Sequence, residues 1–481
     1  MHSRFLSSFA RLVVCTSSAW LVASSMPLGA QQVPAARRDT SSSEYVDCAA
    51  SHRLIRQNNW NPPPGVSVDR FDYCSLVLKP DSLVSTRLTV RPHAMATGTT
   101  NPPSGDYPLD SLYGYRVYVP PACAGAHRCP LVVFLHWGSV DALEVLKWQR
   151  PVANKYGMII LAPLAEAGRQ GAPGFEPNNE LIDRTNIDNA LKQVLRKFAI
   201  DPDKIALAGH CNSGGYAMLW GGDNLAIFSR VLIFSTTLTT GGFDAPQSTD
   251  AGRQTQFYLD EQFDDSYLFF LYASTVRAKG FYVKQAIQAR GHGSGVENFD
   301  FAGKWLHDSW AIPNPADRPR PAELELPALS ADAMTKMTTF WTAFQQLPDS
   351  IRTTARQAHQ RELIVPVGDA RSSTSLADMP ALAKQYPRVA ALFAAAQLTP
   401  EQHDAYRIAL MSALALRSFP TDFSEEMPNR VGAERRDQVH AFATAHMTVS
   451  PTSVQGKNLA FLAEHRDEMA ALEQTQIWRT P

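Results

Sequence analysis

The chain has 481 residues, 44% of them hydrophobic and 19% charged, which suits a globular protein with one large domain and a smaller second one. Its formal net charge is −1, with no basic field and no charged tail, and this excludes nucleic acid as the organising partner. There is no H-E-x-x-H, C-x-x-C, P-loop or dinucleotide fingerprint and the histidines are scattered, so neither a metal nor another cofactor is expected.

Residues 1–30 read as an export signal. Arg4 and Arg11 give a positive start, Leu12 to Ala23 an apolar run, and Leu28-Gly-Ala30 a small-residue cleavage site. The mature protein is therefore expected to be secreted or periplasmic. No later segment is apolar and long enough to span a bilayer. Removing the signal takes Cys15 with it and leaves five cysteines. In an oxidising compartment, Cys123 and Cys129 flank a small loop and are expected to pair, and Cys48 and Cys74 flank a Pro-rich excursion and are expected to pair likewise. Cys211 is then left over.

Residues 31–86 form a Ser-rich leader and this stapled excursion. Leu83 to Arg91 and Tyr113 to Pro120 read as strands. Pro130-Leu-Val-Val-Phe-Leu-His136 is an unbroken apolar run, the mark of a central parallel strand. Helical periodicity runs from Ala142 through Trp148, Met158 to Pro163 is a buried strand, and Ile182 to Phe198 is an amphipathic helix. Ile205 to Ala208, Arg230 to Ser235, Thr255 to Asp260 and Phe281 to Ala286 are further strands, with a helix over Tyr272 to Ala278. Strands alternating with helices in this rhythm predict an α/β protein with a doubly wound, mostly parallel sheet. Residues 313–329 are Pro- and charge-rich and read as a linker. Residues 330–481 read as an α-helical domain: Met334, Met337, Trp341 and Phe344 share one face, Thr399-Pro-Glu-Gln402 is a capping box, and Leu459, Leu462, Met469 and Leu472 mark a last helix. No catalytic motif occurs there, so packing or contact with a protein partner is its expected role.

The chemistry gathers at Lys204-Ile-Ala-Leu-Ala-Gly-His-Cys-Asn-Ser-Gly-Gly-Tyr-Ala-Met218. A buried strand, a tight turn at Gly209 and a helix from Tyr216 place one residue at an apex, the arrangement of a nucleophile elbow. The usual G-x-S-x-G is here Gly209-His-Cys-Asn-Ser213, so Cys211 is the candidate nucleophile. A thiol serves because the thiolate is the reactive form, and a helix N-terminus or a neighbouring histidine lowers its pKa. Ser213 is the alternative nucleophile. In this fold the acid follows a late strand and the histidine follows the last one. Asp264 is the candidate acid, with Asp265 and Asp260 as rivals. His292, between two glycines, is the candidate base, with His136 and His210 as alternatives. The oxyanion hole falls to the backbone N–H groups of Asn212 and of Trp137 or Gly138.

Three stretches carry a family resemblance: Pro130 to His136 with Asp141-Ala142, Asp201 to Met218, and Gly291-His292. Through them, residues from about Arg87 to Trp310 resemble the secreted polyhydroxybutyrate-depolymerase and feruloyl-esterase-like group of α/β-hydrolases, and more loosely dienelactone hydrolase. The resemblance implies an α/β-hydrolase domain over residues 87–312 and ester hydrolysis through an acyl-enzyme. The chain departs from the pattern at four places. Cys211 replaces serine, as in dienelactone hydrolase; Ser213 replaces the second glycine; Trp137 replaces the glycine after His136; and Asp260-Glu261 stands where His-Gly is common. The sequence therefore predicts an exported hydrolase of carboxylic esters with a Cys211–His292–Asp264 triad. The short span between Ser235 and Thr255 leaves no room for a large cap, so an open site and a bulky or polymeric ester are expected. The competing expectation is a catalytically inactive binding protein on the same scaffold.

Overall fold

The computed structural model describes residues 88–110, 115–137, 140–165, 180–236, 254–262, 266–288, 296–319, 321–357, 360–368, 370–418, 441, 444–445 and 448–475. The export signal, the leader and the Cys48–Cys74 pairing lie outside the described residues.

Eight strands build the centre: β1 (Gly105–Asp110), β2 (Tyr115–Val119), β3 (Cys129–Leu135), β4 (Ile159–Ala162), β5 (Ile200–His210), β6 (Arg230–Phe234), β7 (Gln256–Gln262) and β8 (Tyr282–Gln288). They stand in the order β1-β2-β4-β3-β5-β6-β7-β8. β2 is antiparallel to both its neighbours, and the strands from β4 to β8 are parallel. Helices α1 (Ala142–Tyr156), α2 (Glu180–Lys197), α3 (Asn212–Asp223), α4 (Ser266–Ala278) and α5 (Val296–Ala311) accompany them. α1 and α5 cover one face, while α2, α3 and α4 cover the other. This doubly wound, mostly parallel sheet, with a sharp strand-to-helix turn after β5, is an α/β-hydrolase fold.

The apolar run of β3 shows why it is central. Leu131, Val133 and Leu135 enter the core on one face, and Val132 and Phe134 enter the core on the other. α1 begins at Asp141, whose carboxylate accepts the Glu144 N–H at 2.8 Å, and stops at Gly157, which takes φ 65°. It runs two turns past the expected Trp148, tolerating Pro151 within it.

The expected strand from Leu83 fails where it is described. The N–H groups of Thr89 and Val90 donate to Asp188 Oδ1, both at 2.8 Å, and Leu88 N–H donates to Asn224 Oδ1 at 2.6 Å. Side chains of α2 and of the end of α3 take donors that a ladder would have used, and Lys192 completes the Asp188 carboxylate at 2.6 Å. Further on, Asn101 ties the loop after β2 to the start of β5. Its side chain donates to Cys123 O at 2.9 Å and accepts from Ala199 N–H at 2.8 Å. Within that loop the sulfurs of Cys123 and Cys129 lie 2.08 Å apart, at disulfide distance, as the spacing predicts.

The C-terminal region is helical but does not stand apart from the sheet. Its helices are α6 (Ala331–Gln345), α7 (Asp349–Gln357), α8 (Met379–Gln385), α9 (Pro387–Ala395), α10 (Pro400–Ser418), α11 (Val454–Glu464) and α12 (Arg466–Thr475). The capping box holds: Thr399 Oγ1 accepts Gln402 N–H and Gln402 Oε1 accepts Thr399 N–H. The expected last helix is two, broken at His465. Three strands missed by helical periodicity lie among these elements: β9 (Ala322–Glu323) inside the expected linker, β10 (Gln360–Val367) and β11 (Ala370–Ala377). They extend the sheet to eleven strands among the described residues, in the order β8-β11-β10-β9. β11 pairs parallel with the last turn-ward residues of β8, Ser373 with Ala286 and Thr374 with Ile287, and Ser372 Oγ donates to Gln285 O at 3.3 Å. At the outer edge β9 is two residues long, flanked by Pro321 and Pro327 with Glu323 and Glu325 exposed, which blunts the edge against pairing.

Met337, Phe340, Trp341 and Phe344 are fully buried in the same continuous core as β7 and α4. α10 packs on α4, on β10 and on α11. Each such large side chain contributes about 1.5–3 kcal/mol by leaving water. A chain ending at residue 312 therefore loses a shared core as well as the cover of β8. It is expected to be insoluble or to bind a hydrophobic dye while the full chain unfolds in one transition, checked by dye fluorescence and thermal melts of the two proteins.

Candidate active site

Two close backbone contacts make the elbow. A Cβ on Gly209 would stand 2.1 Å from Ser213 O, and one on Gly214 would stand 2.8 Å from the Thr236 side chain and 3.1 Å from Phe234 O. Only hydrogens fit there, so α3 starts hard against the ends of β5 and β6. The turn between them is a single residue, Cys211, at φ 56° and ψ −130°. Its N–H donates to Phe234 O at 3.0 Å, and its carbonyl accepts Gly214 N–H at 3.0 Å. Such a backbone costs a non-glycine residue about 1–3 kcal/mol and persists only where the surroundings over-determine it. Cys211 is thus the N-cap of α3, where the first N–H groups of the helix have no intrahelical partner and the helix dipole favours a thiolate. Asn212 is the first residue of that helix, so its N–H is one of those groups.

Cys211 is 2% exposed and belongs to the apolar cluster that includes Phe134, Trp137, Phe234 and Phe299. The segment after β6 on which the expected open site rests, 237–253, lies outside the described residues. Trp137 lies two residues past the end of β3 and is itself buried. Its indole meets the His210 imidazole edge-on at 4.5 Å and the Trp148 ring at 5.7 Å. Gly138 lies outside the described residues.

The alternatives sort themselves by their hydrogen bonds. The hydroxyl of Ser213 donates to His136 O and is fully buried, which explains how serine is tolerated where glycine is usual and turns it away from attack. His136 Nε2 accepts the Ala165 N–H at 2.8 Å, which puts the proton on Nδ1 and ties the lone pair to the loop after β4. Burial depresses its pKa, offset in part by backbone hydrogen bonds at Val140 and Trp137 and by Asp141, so it is held neutral. His136 thus serves the geometry of the loop. His210 packs on Trp137 one residue before the apex.

Asp264, Asp265 and His292 lie outside the described residues, and the strands that lead to them are described. β7 ends at Gln262 and β8 at Gln288, parallel to β5 and at the same edge of the sheet as Cys211. Asp260 lies two residues before the end of β7, on the row His210–Phe234–Asp260–Ala286. It is fully buried, accepts the Tyr258 hydroxyl at 3.2 Å, and its backbone carbonyl holds Ser235, which itself takes φ 40°. The sequence ranked Asp260 only as a rival; its burial at the strand end was not legible from the acidic run Asp260 to Asp265. Among the described residues one group, Cys123, His127 and Cys129, brings metal-type ligand atoms within 4.8 Å. It sits at the start of β3, the far edge of the sheet, and its two sulfurs are at bonding distance from each other.

No protein-family model matches the chain, and no curated protein matches it. Among solved structures, the chain is similar to an S-formylglutathione hydrolase of Agrobacterium tumefaciens, with 16% identity, 41% of this chain and 88% of that one covered, and a TM-score of 0.31. It is similar to the Bacillus cereus carboxylesterase, with 12% identity, 38% and 89% covered and a TM-score of 0.33. A Pyrobaculum calidifontis esterase matches with 18% identity, 40% and 79% covered and a TM-score of 0.31.

Two outcomes follow from the elbow and its histidine. Gly209→Ala is expected to cost about 2–4 kcal/mol in denaturant unfolding, since two backbones must separate to admit the methyl group. His136 binds its proton more weakly folded than unfolded. The stability this carries is fully present above its ordinary value of 6.5 and is lost as pH falls below it. The loss amounts to about 1.4 kcal/mol per pH unit for one histidine. His403, fully buried beside Asp404 and depressed by the same cause, adds to the slope. Unfolding free energies between pH 7 and 5 are expected to fall less steeply in His136→Asn and in His403→Gln than in the unaltered chain.

Proposed function

We propose that the protein hydrolyses small carboxylic esters by acyl transfer through the Cys211 thiol. The observation that carries this reading is the backbone of Cys211, held at φ 56° at the N-terminus of α3 by two glycines that allow no side chain. Structure alone does not require such strain at a strand-to-helix turn; presentation of a nucleophile does.

In this reading His292 accepts the thiol proton and the Cys211 sulfur adds to the ester carbonyl carbon. The oxyanion is met by the N–H groups of Asn212 and Trp137. The carbon–oxygen bond to the alcohol then breaks, the alcohol leaves with the proton from His292, and a thioester remains. Water, deprotonated by His292, attacks the thioester, and the acid is released as the thiol regains its proton. Asp264 orients the imidazole, and Asp260 is buried near the end of β7. The reach is sufficient. Three strand spacings separate β8 from β5, about 14 Å, and four residues after Gln288 can span about 13 Å when fully extended, before the His292 side chain is counted. We further propose export, which agrees with the apolar stretch at the N-terminus and with two sulfurs placed for a disulfide. The low exposure of Cys211 favours a small ester over the polymeric one.

The test is hydrolysis of p-nitrophenyl acetate beside Cys211→Ala, Cys211→Ser and Ser213→Ala. Cys211→Ala is expected to lose about 10³-fold or more, while Ser213→Ala keeps measurable turnover and loses about 1 kcal/mol of stability with its hydrogen bond. Loss of activity in Ser213→Ala with an active Cys211→Ala would place the nucleophile wrongly. A silent wild-type protein whose Cys211 also fails to react with iodoacetamide would favour a binding protein on a hydrolase scaffold.

A further inference from the structure

Trp137 stands where the chain has least room for it. Its backbone belongs to the oxyanion loop directly after β3, next to His136, whose carbonyl and imidazole are both fixed. Its ring cannot swing outward without leaving an aromatic cluster: Trp148 lies 5.7 Å away, Phe299 6.2 Å and Phe134 6.3 Å, with His210 at 4.5 Å. Phe299 in turn packs on Phe134 and Phe234 at 5.4 and 5.1 Å, so the cluster reaches from α1 and α5 to the end of β6. Cys211 lies in the same cluster and is 2% exposed.

We infer that Trp137 is a specificity-determining residue that walls the acyl side of the Cys211 site and restricts the acyl group to one or two carbons. This rests on Cys211 being the nucleophile. The chemistry follows from geometry. Once the carbonyl oxygen points at the N–H of Trp137 and of Asn212, the acyl substituent must lie against one of the residues around the elbow. On the side of α1 and α5 the space is filled by the indole and the rings behind it. A formyl or acetyl group needs little more than the space of the carbonyl itself, whereas each further methylene meets a ring whose neighbours hold it. A well-packed pocket discriminates one methylene by about 10–200-fold. Removing the indole leaves an apolar hollow of the kind that takes up a small aromatic molecule from solution.

The experiment measures kcat/KM for p-nitrophenyl acetate, butyrate and hexanoate with the full chain, Trp137→Gly and Trp137→Phe, with and without free indole. In wild type the ratio of hexanoate to acetate is expected to be at or below about 10⁻². Trp137→Gly is expected to raise that ratio about 100-fold, Trp137→Phe to raise it less, and indole to lower it again in Trp137→Gly alone. The same wall is read without turnover by the alkylation rate of Cys211 with iodoacetamide against a naphthyl-bearing iodoacetamide. A wild-type protein that takes hexanoate as readily as acetate overturns the inference, even if Trp137→Gly does not fold. So does a ratio unchanged by Trp137→Gly, or discrimination that follows the alcohol rather than the acyl group. Failure of the catalytic reading looks different: Cys211→Ala would then hydrolyse acetate as wild type does.

Discussion

The start of α3 lies so close to the ends of β5 and β6 that a methyl group on Gly209 would overlap the carbonyl oxygen of Ser213. Nearly everything at the candidate site descends from that contact. The chain has one residue in which to turn from strand to helix, and that residue, Cys211, takes a backbone conformation that L side chains avoid. The apex residue is thereby the N-cap of α3, and Asn212 is the first residue of that helix. Gly214 repeats the device one turn on, where Thr236 presses from the end of β6. Ser213, the substitution that most departs from the usual elbow, is accommodated because its hydroxyl reaches the carbonyl of His136. The same hydrogen bond ties the helix start to the segment that follows β3.

The sheet continues past the point where a hydrolase domain read from sequence would end. β8 is the strand that leads toward His292, and its last residues are covered by β11 instead of facing water. β11 hangs from β10, and β10 is held by α10, with Ser412 donating to Pro366 O. α10 also rests on α4, the helix that follows Asp264 in the chain. The C-terminal region thus bears on β8, which precedes the candidate base in the chain, and on α4, which follows the candidate acid. Its apolar faces are buried within the chain, around Trp341, whose indole donates to His403 at 3.0 Å, and Phe340, stacked on Phe393. An interior of this kind gives the helices a structural task.

Where sequence reading succeeded, the signal was periodic or steric. β3, β4, β6 and β7 were legible as apolar runs too short for helices, α2 from its spacing, α10 from its capping box, and the elbow from glycines on either side of a single apex. Where it failed, the cause was long-range. β11 reads Ala-Arg-Ser-Ser-Thr-Ser-Leu-Ala, with no apolar alternation, and is a strand because β8 and β10 offer it partners on both sides. Leu363, Val365 and Val367 of β10 do alternate, and that signal was masked by the helices around it. Leu88 to Val90 looked like a strand and became a strap because Asp188, remote in sequence, gathers its donors. The burial of Cys211 was likewise invisible, since it lies among rings contributed by β3, β6 and α5.

The central claim is that Cys211 carries the acyl group. The most direct measurement is the mass of the protein quenched in acid during turnover of an activated acetate ester, followed by peptide mapping. The account requires one acetyl group on the peptide containing Cys211, removable by neutral hydroxylamine as a thioester is, and absent from Cys211→Ala. An acetyl group on Ser213, or turnover of the ester with no acyl-protein trapped under conditions where Cys211→Ser does accumulate one, would contradict it.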